Sequence, residues 1–161
     1  MGSATGAANR AGSSDGLHRE RDRRAPQVLL VEDQVNLLDL IGGELEADGY
    51  HVTKTCHGAT ALELLLSQPF DLVITDLFVD AVTGLDVLEK AKALKPRTIV
   101  IIMTGSPDVS FAVKALRSGA DDYILKPFRM SELRERLAIH VESRALLRQG
   151  VRSRPDRAIL E

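Results

Sequence analysis

Tryptophan is absent, cysteine occurs once, and aromatic residues make up only 4% of the 161 positions. The single thiol, Cys56, forms no internal disulfide, so apolar burial has to hold the fold together. A lone cysteine fits a reducing cytoplasm, which is where the chain is expected to work. No run of about 18 apolar residues occurs, so no membrane span is expected. The N-terminus also lacks the apolar core of a secretory signal. Hairpin turn signals are missing between the apolar runs, which argues against an antiparallel sheet. A strong basic excess is missing too. The net charge is −2, and residues 27–140 carry 11 Lys/Arg against 17 Asp/Glu. A body that acidic does not look like a non-specific nucleic-acid binder, which needs a basic face.

What is present is a chain long enough for one domain with a proper core, 44% of it hydrophobic. Residues 1–25 are rich in Gly, Ala, Ser and Arg and poor in large apolar side chains, so a disordered tail is expected there. Its basic cluster "HRERDRR" reads as solvated rather than as a binding patch. From residue 27 the pattern becomes regular. "QVLLV" (27–31), "HVTKT" (51–55), "DLVIT" (71–75), "TIVIIM" (98–103) and "DYIL" (122–125) read as strands. Helices are expected over 34–50, 58–68, 84–94, 107–119 and 130–147, with Gly49, Pro69, Pro96 and Gly119 as stop signals. Five strand–helix units without hairpins predict an α/β fold, a doubly wound five-stranded parallel sheet with helices on both faces. The domain is placed at 26–148, and 149–161 reads as a C-terminal tail or the start of a linker.

In "DLVITDLFVD" (71–80) a carboxylate, Asp76, closes an apolar run. An unpaired charge in such a place costs free energy, so the acid needs a reason. Ligands of open α/β sheets bind at the C-terminal edge of the strands. The first strand is followed there by Glu32-Asp33, the third by Asp76, the fourth by Thr104-Gly105-Ser106 and the fifth by Lys126-Pro127. Three carboxylates, a hydroxyl and an amine would converge. Crowded acids suit a hard divalent cation, and Mg²⁺ prefers one or two carboxylates with water and phosphate oxygens. A carboxylate beside Mg²⁺ and a lysine can attack phosphorus to give an acyl phosphate. Taken singly, each residue has a plainer role. Asp33 reads equally well as the cap of the next helix, Asp76 as a turn residue, Thr104 as a β-former, Lys126-Pro127 as a turn, and Ser106 before Pro107 chiefly as an N-cap. Cys56 and His57 have no metal-ligand spacing and read as structural. The four features at four strand ends are what the plainer roles do not explain together.

The stretches "VLLVEDQ", "DLVITDL" followed by Gly84, "VIIMTGS" and "ADDYILKPF" resemble the receiver domain of bacterial two-component response regulators, over residues 27–147. The resemblance implies a (βα)5, flavodoxin-like receiver architecture with Asp76 as phosphoacceptor. It implies Mg²⁺ held by Asp33, Asp76 and the Phe78 carbonyl, with Glu32 acting through water. Thr104 and Tyr123 match the switch threonine and aromatic, Lys126 matches the family lysine, and the Lys126–Pro127 bond is expected to be cis. The implied partners are a sensor histidine kinase or histidine phosphotransfer protein and a downstream protein target. A homodimer through the fourth helix, fifth strand and fifth helix is a further option. No DNA-binding domain fits after residue 147, so the chain reads either as a single-domain regulator or as a receiver cut from a longer one. One departure stands out: Val79-Asp80 replaces the family's common Met-Pro. It is expected to leave that loop less constrained, with Asp80 facing solvent.

Two other readings compete with a regulatory phosphoacceptor that is not an enzyme. A haloacid-dehalogenase-type phosphatase also uses an aspartyl nucleophile, but needs a second Asp two residues later, where this chain has Phe78. A phosphorylation-independent binding module would usually have lost the acceptor or the lysine, and both are present.

Overall fold

A computed structural model describes residues 24–150. The N-terminal tail expected at 1–25 therefore lies almost wholly outside the described residues, as does 151–161. Five strands, β1 (Gln27–Val31), β2 (His51–Thr55), β3 (Leu72–Asp76), β4 (Ile99–Thr104) and β5 (Asp122–Leu125), alternate with five helices. The helices are α1 (Val35–Ala47), α2 (Gly58–Ser67), α3 (Gly84–Leu94), α4 (Val109–Arg117) and α5 (Met130–Gly150). The strands form one sheet in the order β2-β1-β3-β4-β5, every pairing parallel.

Strand side chains alternate between the two faces, so each strand feeds two cores. Leu29, Val31, Val73, Val100 and Ile102 meet α2, α3 and α4 through Ala61, Leu65, Val87, Leu88 and Ala115. Val28, Leu30, Leu72, Ile74, Ile101, Met103 and Ile124 meet α1 and α5 through Leu38, Ile41, Leu45, Leu133 and Leu137. Fully burying one such side chain contributes about 1.5–3 kcal/mol. The sheet is thus held from both faces, and its C-terminal edge can carry polar groups at tolerable cost. The order of strands reverses between β1 and β3, which opens a crevice at that edge.

Most element bounds match the sequence reading within one or two residues. Gly49 ends the first helical stretch at φ +96°, and Gly119 plays the same part after α4 at φ +100°. The start of α4 differs. Pro107 is not its first residue and Ser106 is not its cap. Asp108 caps the helix by accepting from the Ser110 N–H at 2.9 Å, so the helix opens at Val109. Ser106 instead accepts from the Asp108 N–H at 3.4 Å, inside the connecting turn.

Candidate acceptor site

The crevice gathers the residues that the strand ends supply. Glu32 directly follows β1 and is fully buried, while Asp33 beside it is exposed. Asp76 is the last residue of β3, paired in register with Met103 and 8% exposed. Carboxylate oxygens of Glu32, Asp33 and Asp76 lie within 4.8 Å of one another. Asp33 does not cap α1: Gln34 occupies the N-cap without a side-chain bond, and its N–H donates to Glu32 Oε1 at 3.2 Å.

Lys126, one residue past β5, reaches across the crevice. Its Nζ donates to Glu32 Oε2 at 2.5 Å and to Asp76 Oδ2 at 2.9 Å. Burial pushes the Glu32 carboxyl up from its ordinary value, although the lysine and the Gln34 N–H pull it back. For Lys126, burial works against the ammonium, but the bonds to Glu32 and Asp76 outweigh it and raise the pKa. The half-buried lysine therefore stays charged and balances two acids. The Lys126–Pro127 peptide bond is cis, as expected. Thr104, buried at the end of β4, accepts the Ser106 N–H on its hydroxyl oxygen at 3.0 Å, which leaves the hydroxyl proton free to be donated.

Tyr123 is the second residue of β5. It is half-buried against the core that holds Val100 and Ile102. Its hydroxyl is buried without a hydrogen-bond partner among the described residues. Burial raises the pKa of that hydroxyl.

The loop after β3 departs from expectation, because it is tightly held. Val79 is buried, and Asp80 is exposed as expected, but its carboxylate is tied to the backbone. The Asp80 carboxylate accepts the Val82 N–H at 2.9 Å and the Gly58 N–H at 3.2 Å. Thr83 and Asp86 form a capping box at the start of α3. The Gly84 N–H donates to the Leu77 carbonyl at 2.8 Å. A Cβ on Gly84 would sit 2.3 Å from the Asp76 carbonyl oxygen, so glycine is required for α3 to start this close to the acid. Phe78, 49% exposed, meets Phe111 of α4 edge-on, with ring centroids 5.2 Å apart. Cys56 is half-buried and belongs to no cluster of metal-ligating groups among the described residues. His57 lies 3.8 Å from Asp80 on the surface.

A single parallel sheet with a lysine-bridged acid cluster at its C-terminal edge defines a class of protein. Residues 28–138 match the family described as the response regulator receiver domain, and the chain belongs to that family. Response regulator ArlR of Staphylococcus aureus (strain Mu50) is 37% identical over 123 residues, covering 76% of this chain and 53% of that protein. The chain thus spans about half the length of the curated relatives it matches. Among solved structures, a response regulator receiver domain protein from Clostridium thermocellum superposes with TM-score 0.71 at 29% identity, covering 76% of this chain and 98% of that one. The signal receiver domain of a putative Luxo repressor protein from Vibrio parahaemolyticus gives TM-score 0.71 at 31% identity, covering 80% and 98%. The BeF3-activated DrrB receiver domain gives 0.68 at 26%, covering 73% and 98%. The chain is a receiver domain of two-component phosphorelay signalling. The phosphatase and the phosphorylation-independent module are not favoured. No helix among the described residues is long and apolar enough to cross a membrane.

Proposed function

We propose that Asp76 accepts a phosphoryl group from the phosphohistidine of a sensor kinase or phosphotransfer protein, in a Mg²⁺-dependent step, in the cytoplasm. The observation that carries this reading is the Lys126 ammonium 2.9 Å from Asp76 Oδ2, beside three clustered acids. An Asp76 oxygen forms the new O–P bond while the P–N bond to the imidazole breaks, and its electron pair stays on that nitrogen. Lys126 holds the acceptor carboxylate and meets a phosphoryl oxygen as charge builds there. Thr104 donates its hydroxyl proton to the phosphoryl group once it is attached.

The oxygen-only donor set fits Mg²⁺, with Asp33, Asp76 and the Phe78 carbonyl as ligands and Glu32 acting through water. Bound there, the ion supplies charge neutralisation for the phosphate oxygens. Treating the protein with acetyl phosphate and Mg²⁺ should add one phosphoryl group by intact mass. No uptake by the folded, Mg²⁺-saturated protein would overturn the reading.

Asp33→Ala is expected to weaken Mg²⁺ binding, because its exposed carboxylate faces the cluster and has no other side-chain partner among the described residues. Relieving repulsion among three acids should at the same time raise the melting temperature of the metal-free protein slightly. Melts with and without Mg²⁺ separate the two effects, and an undiminished Mg²⁺ shift in the variant would remove Asp33 from the ligand set.

The response is expected to run from Thr104 to the Tyr123 ring and the surface of α4 and β5. Val109, Val113, Leu116 and Leu125 are exposed there, which supports that face as the one offered to a downstream protein or to a second copy of the chain. One hydrogen bond to a charged group contributes about 1.5–3 kcal/mol, a population shift of roughly 10- to 150-fold. Thr104→Ala should still be phosphorylated but lose most of the Tyr123 ring NMR shift on activation. An equal shift in the variant would place the coupling elsewhere.

A further inference from the structure

The β3–α3 loop lacks a proline, yet it is pinned at a point the acceptor chemistry does not use. Asp80 bonds the Val82 N–H within its own loop and, 22 positions back in the chain, the Gly58 N–H at the first residue of α2. That N–H is one of the helix's orphan donors. The N-cap residue, His57, offers no side-chain bond to replace Asp80. The positive end of the helix dipole favours a carboxylate at this place. The approach is so close that a Cβ on Gly58 would lie 2.6 Å from Val82 Cβ and 2.9 Å from Asp80 Oδ1. A glycine and an acid from different elements are thus fitted to each other, and Phe78 lies two residues before the brace.

We propose that Asp80 is a positioning residue of the acceptor site, bracing the loop that presents the Phe78 carbonyl against the N-terminus of α2. This rests on the reading of the site as a Mg²⁺-dependent acceptor. Asp80 touches neither the metal nor the phosphoryl group. It removes freedom from the segment between Asp76 and Gly84, so less order has to be imposed when the cation binds. Groups that orient ligands in this way typically change metal affinity by about 10- to 100-fold when removed. The brace is partly exposed, so the lower end of that range applies, and a loss of about tenfold is expected.

The test is an NMR titration with Mg²⁺ alone, following backbone amides of the β3–α3 loop and of Gly58. Wild type should give saturable shifts and a Kd. Asp80→Ala should weaken the Kd about tenfold and shift the Gly58 amide already in metal-free buffer, with dispersed spectra showing an intact fold. Asp80→Asn keeps one acceptor oxygen for one of the two N–H groups and should fall between. Gly58→Ala forces Val82 and Asp80 away while leaving the carboxylate in the chain, and should reproduce the loss. Combining it with Asp80→Ala should add little further, because both changes remove one brace. An unchanged Kd in Asp80→Ala and Gly58→Ala would overturn the positioning role while leaving the acceptor site standing. Absence of saturable shifts in wild type would overturn the acceptor reading itself.

Discussion

Asp76→Asn is expected to take up no phosphoryl group from acetyl phosphate and Mg²⁺, under conditions that convert the wild-type chain to a single adduct. An amide oxygen is a far poorer nucleophile than a carboxylate, and the change removes one of the charges that attract the cation. The fold should persist. Asn has the shape of Asp, and its amide oxygen can still accept the Lys126 Nζ bond now made by Asp76 Oδ2. The backbone contacts at this position, including the Thr75 hydroxyl donating to the Asp76 carbonyl at 2.9 Å, do not involve the side chain. An isosteric change of this kind should alter stability by no more than about 1 kcal/mol. Losing a carboxylate also relieves Glu32, whose raised pKa is due first to burial and in part to the Asp76 charge. Intact mass gives the readout, and far-UV dichroism gives the control for folding. Stoichiometric uptake by the Asn variant would move the acceptor to another carboxylate of the cluster.

The acids, the hydroxyl and the lysine were legible because they sit where apolar strands end, and apolar runs are the strongest signal a sequence carries. Even so, β3 and β4 each end one residue later than the apolar pattern suggested. Asp76 and Thr104 are the last rungs of the ladder, paired with Met103 and Leu125. Hydrophobicity marks the buried part of a strand, whereas backbone bonding carries the strand on into its polar end. The brace at Asp80 had no such signal. Its partners are backbone N–H groups, which every residue but proline possesses, and one of them is 22 positions away. The absence of proline therefore suggested a slack loop, and only the fold shows what restrains it. The Phe78–Phe111 contact was hidden for a related reason, since it depends on how closely α4 approaches the loop. The cap of α4 was ambiguous in the sequence. Ser106 and Asp108 flank Pro107 and both are good caps; a proline suits the first helical position and its predecessor the extended N-cap, which favours Ser106, and only the fold selects Asp108.

Lys126→Met should be among the most damaging substitutions for the metal-free fold. The lysine is the only basic partner within bonding distance of the fully buried Glu32 among the described residues, and it also balances Asp76. Removing one member of a buried ion pair typically costs about 3–5 kcal/mol, because the remaining charge is left without compensation. The lysine retains some exposure, so the lower end, about 3 kcal/mol, is expected, a fall in melting temperature on the order of 10 °C. The loss should depend on pH in a definite direction. Glu32 already has a folded value raised above 4.5, chiefly by burial, with the Lys126 hydrogen bond pulling it down. Without that pull it rises further. A carboxyl raised on folding contributes its full stability below the unfolded value and loses it as pH climbs through the folded one. The deficit of the variant should therefore be small below pH 4.5, where Glu32 is protonated in both states, and widen toward pH 7. At the alkaline end wild type should approach the variant. Lys126, raised above 10.5 by its two acids despite burial, gives up its contribution as pH passes through that folded value. Adding Mg²⁺ at pH 7 should narrow the gap, because the cation restores positive charge beside the same carboxylates. Melting curves of both proteins across the acid range, with and without Mg²⁺, test each step. A deficit that stays constant from pH 4 to 8 would show that Lys126 stabilises the site through packing of its aliphatic stem rather than through its charge.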